Sequence, residues 1–249
     1  MNYPGVSCYC STYGRVHTLE EVLESFLRQD YPGPKELVIL NDCVDQELEF
    51  RHPEVRIINL SQRIKPLGRK FNTNIDYCKF SIVACWEDDD IYLPNHLSTA
   101  VKLMNNGVFH TGNAWYEETS QQFIYTGNYY HATHVFTKEL FELAGKYPEI
   151  DNCTLDIGLM GRLQNVVGSY TQTLSAEQLT YIYRWGTANC YHGSGWGTQL
   201  NISDEAENVV RNQLIDGKIP KGHIRLRPYW KYEYQKIIQF KLAQECTIT

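Results

Sequence analysis

Residues 6–40 place the tightest limit on the fold. Val6-Ser7-Cys8-Tyr9-Cys10 is β-like, Ser11-Thr12-Tyr13-Gly14-Arg15 follows as a polar turn, and Leu19, Val22, Leu23, Phe26 and Leu27 then form one apolar helical stripe. Thr18 and Glu21 have the spacing of a capping box. Asp30-Tyr31-Pro32-Gly33-Pro34 ends the helix, and Glu36-Leu37-Val38-Ile39-Leu40 is a second buried strand that stops at Asn41-Asp42. Strand, helix and strand in about forty residues make a βαβ unit, whose parallel pairing calls for a right-handed crossover.

The alternation continues. Val55-Arg56-Ile57-Ile58-Asn59-Leu60 offers a strand, residues 69–78 a helix, and Ser81-Ile82-Val83-Ala84-Cys85-Trp86 a buried strand that ends abruptly in Glu87-Asp88-Asp89-Asp90. The expected fold is α/β with a mainly parallel central sheet flanked by helices, which binds ligands at the carboxyl ends of its strands. The polar groups at 11–15, 41–42 and 87–90 would then meet on one edge. If the backbone stays extended through the acids, Asp88 and Asp90 share a side, roughly 6 to 7 Å apart at Cα, and Glu87 points away. Four adjacent like charges call for a compensating cation, and hard oxygen ligands favour magnesium, manganese or calcium over zinc. The plainer alternative is an acidic surface loop.

Composition removes several classes. The 249 residues allow one large domain, or one with an appendage, and 43% hydrophobic with 21% charged residues is ordinary for a globular protein. A net charge of −6 gives no overall attraction for nucleic acid, so phosphate recognition must be local. No apolar run reaches a membrane span, and the start lacks the basic, apolar pattern of a signal peptide, so a cytoplasmic location is expected. The eight cysteines show no paired zinc spacing and read as reduced, buried thiols.

In the second half, a helix over 95–106 ends at Gly107, a strand is expected near 108–112, residues 127–136 are rich in aromatics, and 138–143 is a short helix. Leu155-Asp156-Ile157-Gly158 opens another helix with Asp156 in or beside its first turn. Residues 186–197, with Asn189, His192, Ser194 and Trp196, are glycine-rich and irregular, a candidate lid. Within 224–241, Trp230, Tyr234, Ile237 and Ile238 share a helical face that either packs on the body of the fold or touches a membrane surface as a peripheral contact.

Taken in order over roughly residues 6 to 190, this pattern resembles the family-2 inverting glycosyltransferases of the GT-A fold, a Rossmann-like arrangement. Val6 to Arg15 resembles their first strand and nucleotide loop, and Glu36 to Asp42 their second strand, with Asn41 in place of the first of two acids. Gly68-Arg69-Lys70-Phe71-Asn72 is similar to their basic segment, with Phe71 where arginine is frequent. Trp86 to Tyr92 resembles their Asp-x-Asp motif. The resemblance implies a nucleotide-sugar donor, with Ser11 and Tyr13 at the base and ribose and Asp42 at the base edge. It places Arg15, Arg69 or Lys70 at the phosphates and Asp88 at the ribose hydroxyls. It implies a manganese or magnesium ion on Asp90 with Asp89, and His192 as a further metal ligand. Asp156 matches the base that takes the acceptor hydroxyl's proton, with Glu149 and Asp151 as fallbacks; a plain first-turn aspartate is the alternative. His110, His131 and His134 stay open between acceptor contact and core, as do Trp115, Tyr116, Tyr129 and Tyr130 between sugar stacking and core.

The implied organisation is a catalytic domain over 1–200, its nucleotide-binding half about 1–94 and its acceptor half about 95–200, with a small helical C-terminal extension at 201–249 packed on it. Arg184-Trp185 lacks the correctly spaced glutamine of processive synthases, Gln178 lying six residues before Arg184, so single-sugar transfer is expected. Two other readings remain: a sugar nucleotidyltransferase, which would need a glycine-rich, lysine-bearing first loop, and a degenerate domain that only binds glycans or acts as a scaffold.

Overall fold

The computed structural model describes residues 3–119, 122–152, 154–184 and 202–245. Its first half runs β1 (Val6–Thr12), α1 (Val16–Leu27), β2 (Lys35–Asn41), β3 (Gln46–Glu49), β4 (Val55–Asn59), α2 (Leu67–Tyr77), β5 (Ile82–Cys85) and β6 (Ile91–Tyr92). Then follow α3 (His96–Leu103), β7 (Val108–Phe109), β8 (Asn113–Thr119), β9 (Gln122–Gly127), β10 (Val135–Thr137), α4 (Lys138–Leu143), α5 (Leu155–Val167), β11 (Tyr181–Arg184), α6 (Ile202–Ile215), β12 (Gly222–Arg225) and α7 (Tyr234–Glu245).

The continuous apolar runs form the inside of a sheet ordered β4-β2-β1-β5-β10-β7. Strands β4, β2, β1 and β5 are parallel, and β10 is antiparallel to both of its neighbours. Strands covered on both faces need apolar residues at every position rather than at alternate ones, which is why Val6, Cys8, Tyr9 and Cys10 are all buried. A second sheet, β6-β11-β8-β9, stands beside the acidic bend and brings Tyr181 and Arg184 to it.

Helix α1 departs from the capping-box expectation. It starts at Val16 with Arg15 at the N-cap, and the Thr18 hydroxyl donates back to the Arg15 carbonyl at 3.1 Å. Glu21 is turned inward instead, taken by the Arg184 guanidinium at 2.6 Å, the Tyr234 hydroxyl at 2.8 Å and the Lys231 amide at 2.9 Å. A buried cation holds a carboxylate more strongly than an exposed amide can, so tertiary pairing displaces the local cap.

The segment 224–241 is not one helix. Its start lies in β12, paired parallel to β3, and α7 begins only at Tyr234. Tyr234 and Ile238 are buried and the Trp230 indole donates to Ser25 of α1 at 2.9 Å, so the apolar face that a membrane contact would need is turned onto α1. Helix α6 crosses the turn after β1: Gly14, at φ +73°, lies so close beneath it that a Cβ would sit 2.7 Å from Val210. Among the described residues, no helix is long and apolar enough to cross a membrane.

Candidate active site

The strand does not stay extended through the acids. The chain leaves β5 at Cys85 and bends over 88–90 before β6, so the alternation expected of Asp88 and Asp90 fails. Asp88 and Asp89 converge instead: Arg15, at the end of the β1 turn, donates to Asp88 Oδ1 at 2.7 Å and to Asp89 Oδ2 at 2.8 Å. Asp90 faces β11, where its Oδ1 accepts from the Arg184 amide at 2.8 Å and its Oδ2 from the Tyr181 hydroxyl. Burial pushes the Asp88 and Asp90 carboxyls upward and Asp89 adds to both; Arg15 pulls Asp88 back, and Tyr181 and Arg184 pull Asp90 back.

Asp42, at the end of β2, is fully buried. Lys70 from α2 donates to it at 2.7 Å, Arg63 at 2.6 Å and the Ile64 amide at 3.0 Å. Burial alone would raise its carboxyl, but Lys70 and Arg63 outweigh it and hold Asp42 below the usual range. Lys70 also donates to the Thr12 carbonyl at 2.7 Å while lining the cavity, which Asp42 does not. The Arg63 guanidinium lies 3.5 Å over the Tyr13 ring, and Asn74 donates to the Ser11 hydroxyl at 3.2 Å. Arg69 is exposed and does not line the cavity. Asn41 ties β2 to its neighbours, donating to the Gln46 carbonyl at 2.7 Å and to Asn59 at 3.0 Å.

Glu87 does not point away. It pairs with His131 Nδ1 at 2.8 Å, while His131 Nε2 meets the Tyr147 hydroxyl, itself 2.7 Å from that of Tyr9. The His131 ring is stacked on Phe71, with centroids 5.6 Å apart, which gives the departure at Phe71 a local function. Asp156 occupies the first turn of α5 as expected, with Oδ1 3.8 Å from His131 Nδ1. Desolvation would lower His131, but Asp156 leads the groups that hold the imidazole well above its ordinary value. Asp156 is raised by desolvation, with His131 pulling it back.

Of these, Ser11, Tyr13, Arg15, Arg63, Lys70, residues 87–90, His131 and Asp156 line a cavity of about 730 Å³, a size that takes a nucleotide sugar. Its lining also includes Tyr116, Tyr129, Tyr130 and Tyr183. Trp115 is fully buried, as are His110 and His134, whose rings stack 4.1 Å apart, so these are core residues. His192 and the proposed lid at 186–197 lie outside the described residues. Arg63, Glu87, His131, Tyr181 and Arg184 contact the acids of this site and are positions that sequence reading missed or set aside. Each acts through a partner distant in the chain, and only the aromatic richness of 127–136 hinted at His131. Asp88 and Asp89 already hold a cation, the Arg15 guanidinium, between hard oxygens, so the donor set fits a magnesium- or manganese-class ion.

An acid-walled cavity at the carboxyl ends of parallel strands is where open α/β sheets bind their ligands. Residues 7–153 match the description Glycosyl transferase family 2, and the chain belongs to that family. A curated relative, the Escherichia coli UDP-Glc:alpha-D-GlcNAc-diphosphoundecaprenol beta-1,3-glucosyltransferase WfgD, is 28% identical over 114 residues, or 43% of this chain and 45% of that protein. The chain thus spans under half the length of that relative. Among solved structures, S. aureus TarS 1–349 superposes with a TM-score of 0.53 at 15% identity, covering 73% of this chain and 60% of TarS. The mannosyltransferase PcManGT from Pyrobaculum calidifontis, in complex with GDP-Man and Mn2+, does so with 0.53 at 18%, covering 73% and 59%. These likenesses show the fold, which is GT-A.

Proposed function

We propose that the protein is an inverting, non-processive glycosyltransferase that moves one sugar from a nucleoside-diphosphate-sugar to a hydroxyl of a glycan, lipid-linked saccharide or protein. The observation that carries this reading is the placement of Asp156 and the acids of 88–90 on the same cavity. The acceptor oxygen attacks the anomeric carbon, the bond to the diphosphate breaks, the proton passes to Asp156 and the configuration inverts. Asp151, one fallback, is tied to the Ser203 hydroxyl at 2.6 Å, and of the three candidate bases Asp156 is the one that lines the cavity.

On the donor side, Asp89 is assigned to the ion with Asp88 beside it. Asp90 anchors β11, because both of its oxygens are taken within the protein. A manganese or magnesium ion bound there would offset charge on the departing diphosphate. Arg15 sits between Asp88 and Asp89 and is placed to turn to the phosphates, while Tyr13 under Arg63 offers a ring to the base. A lipid-linked acceptor is one candidate, in keeping with the E. coli relative's name.

The test is a thermal-shift panel of UDP, GDP, dTDP and CDP sugars with manganese, followed by transfer assays with the best donor. One sugar nucleotide should raise the melting temperature only with the metal. Equal shifts with and without a chelator would remove Asp89 from its assigned role.

A further inference from the structure

Behind one wall of the cavity a buried soft donor stands beside harder ones. Cys85 closes β5, Glu87 follows it, and His131 stands in a single helical turn over His131–Thr133; one donor atom from each lies within 4.8 Å of the others. Cys85 Sγ is 3.6 Å from His131 Nδ1 and 3.5 Å from Glu87 Oε1. Glu87 Oε1 is 2.8 Å from that nitrogen, and Asp156 Oδ1 is 3.8 Å from it on the open side.

Tetrahedral zinc, with sulfur at about 2.3 Å and nitrogen or oxygen near 2.0–2.1 Å, sets its sulfur about 3.5 Å from each lighter donor and the lighter donors about 3.3–3.4 Å apart. The sulfur separations to Nδ1 and Oε1 already have that length, and the 2.8 Å between Oε1 and Nδ1 is shorter than its ideal by about half an ångström. The ring is also aimed: Tyr147, backed by Tyr9, holds Nε2 and leaves Nδ1 facing the thiol and the carboxylate, the support that metal-binding histidines use. Glu87, His131 and Asp156 line the cavity, which gives an ion a way in.

We propose that Cys85, Glu87 and His131 bind a borderline-soft divalent cation of the zinc class, with the fourth position open to water on the cavity side, next to Asp156. The set is chemically distinct from Asp88 and Asp89, whose ligands are all oxygen and favour a harder ion. Burial pushes the Cys85 thiol up to about 12, and a coordinating metal removes that proton outright. An ion on His131 Nδ1 stands beside Asp156, the carboxylate proposed as base, so micromolar zinc should inhibit transfer in a way that excess manganese does not relieve.

Binding itself is read without any transfer assay, so its failure and the failure of the proposed function are distinguishable. The reduced whole chain is titrated with cobalt(II) while the near-ultraviolet thiolate-to-cobalt band and the visible bands of four-coordinate cobalt are followed. One equivalent should develop both, and zinc should bleach them. Cys85→Ser should lose the thiolate band, and His131→Gln should weaken cobalt by about tenfold or more, each with an unchanged circular dichroism spectrum. If Cys85→Ser does not fold, His131→Gln decides alone. No thiolate band in the parent protein, or an undiminished one in either folded variant, overturns the assignment.

Discussion

Two groups of carboxylates gather at one end of the sheet, and the protein neutralises them differently. At the proposed donor end, Asp42, Asp88 and Asp89 face Arg15, Arg63 and Lys70, cations fixed by short contacts. At the proposed acceptor end, Glu87 and Asp156 face His131. Accessibility follows the same division: the Asp156 side chain is 43% exposed, against 4% for Asp88 and 6% for Asp89. A carboxylate that takes a proton from an incoming hydroxyl must be reachable, whereas one that shapes a phosphate platform works best when pre-ordered and dry. The donor end is therefore built as a fixed electrostatic scaffold, and the acceptor end as an open site.

The largest effect should come from Asp156→Asn. Loss of the base should slow transfer by about 10²–10⁴-fold while nucleoside-diphosphate affinity, measured by calorimetry, stays unchanged. An unaffected rate would break the comparison at its open end and move the base to Glu149.

At the scaffold end, the expected loss is of stability. Asp42→Asn strands Lys70, whose side chain is 3% exposed, and should cost about 3–5 kcal/mol in urea unfolding. It should also change the acid limb. With its folded value depressed, Asp42 contributes stability that is fully present above the unfolded carboxyl value, about 3.9, and is lost as pH falls through the lower folded one. The variant's stability should fall less steeply over that window, and an identical slope would mean that Lys70 and Arg63 do not hold the carboxylate.

Arg15→Ala tests the same scaffold nearer the cavity. It leaves Asp88 and Asp89 facing each other, at a cost of about 3 kcal/mol, the low end for a buried pair because Arg15 keeps 14% of its side chain exposed. Manganese should restore part of that loss by taking the cation's place. A melting temperature indifferent to manganese would separate the two acids from the proposed ion.

The βαβ start, the mainly parallel sheet and the meeting of three strand ends on one edge were all legible in the sequence, because period and strand-end chemistry are local signals. The fate of individual acids was not. Alternation assigned Asp88 and Asp90 to one side, but the bend at 88–90 pairs Asp88 with Asp89 and gives Asp90 to β11, whose Tyr181 and Arg184 lie far along the chain. Glu21 is missed for the same reason: its partner Arg184 carries no local signal, while a capping-box spacing does. Asp156 could be placed because a helix start is written in its own neighbours.

The smallest expected effect lies on the rim of the open end. Tyr129 lines the cavity yet is 68% exposed, unlike Tyr130, which is buried against Tyr181 and Tyr183. An exposed ring contributes nothing to the fold that its loss would reveal, but it offers a flat apolar face to a sugar. Tyr129→Ala should therefore leave the melting temperature unchanged and raise the acceptor KM several-fold, about 1 kcal/mol of lost stacking, while Tyr129→Phe keeps it. A rise in donor KM instead would place the donor sugar under this ring and turn the assignment of the two ends around.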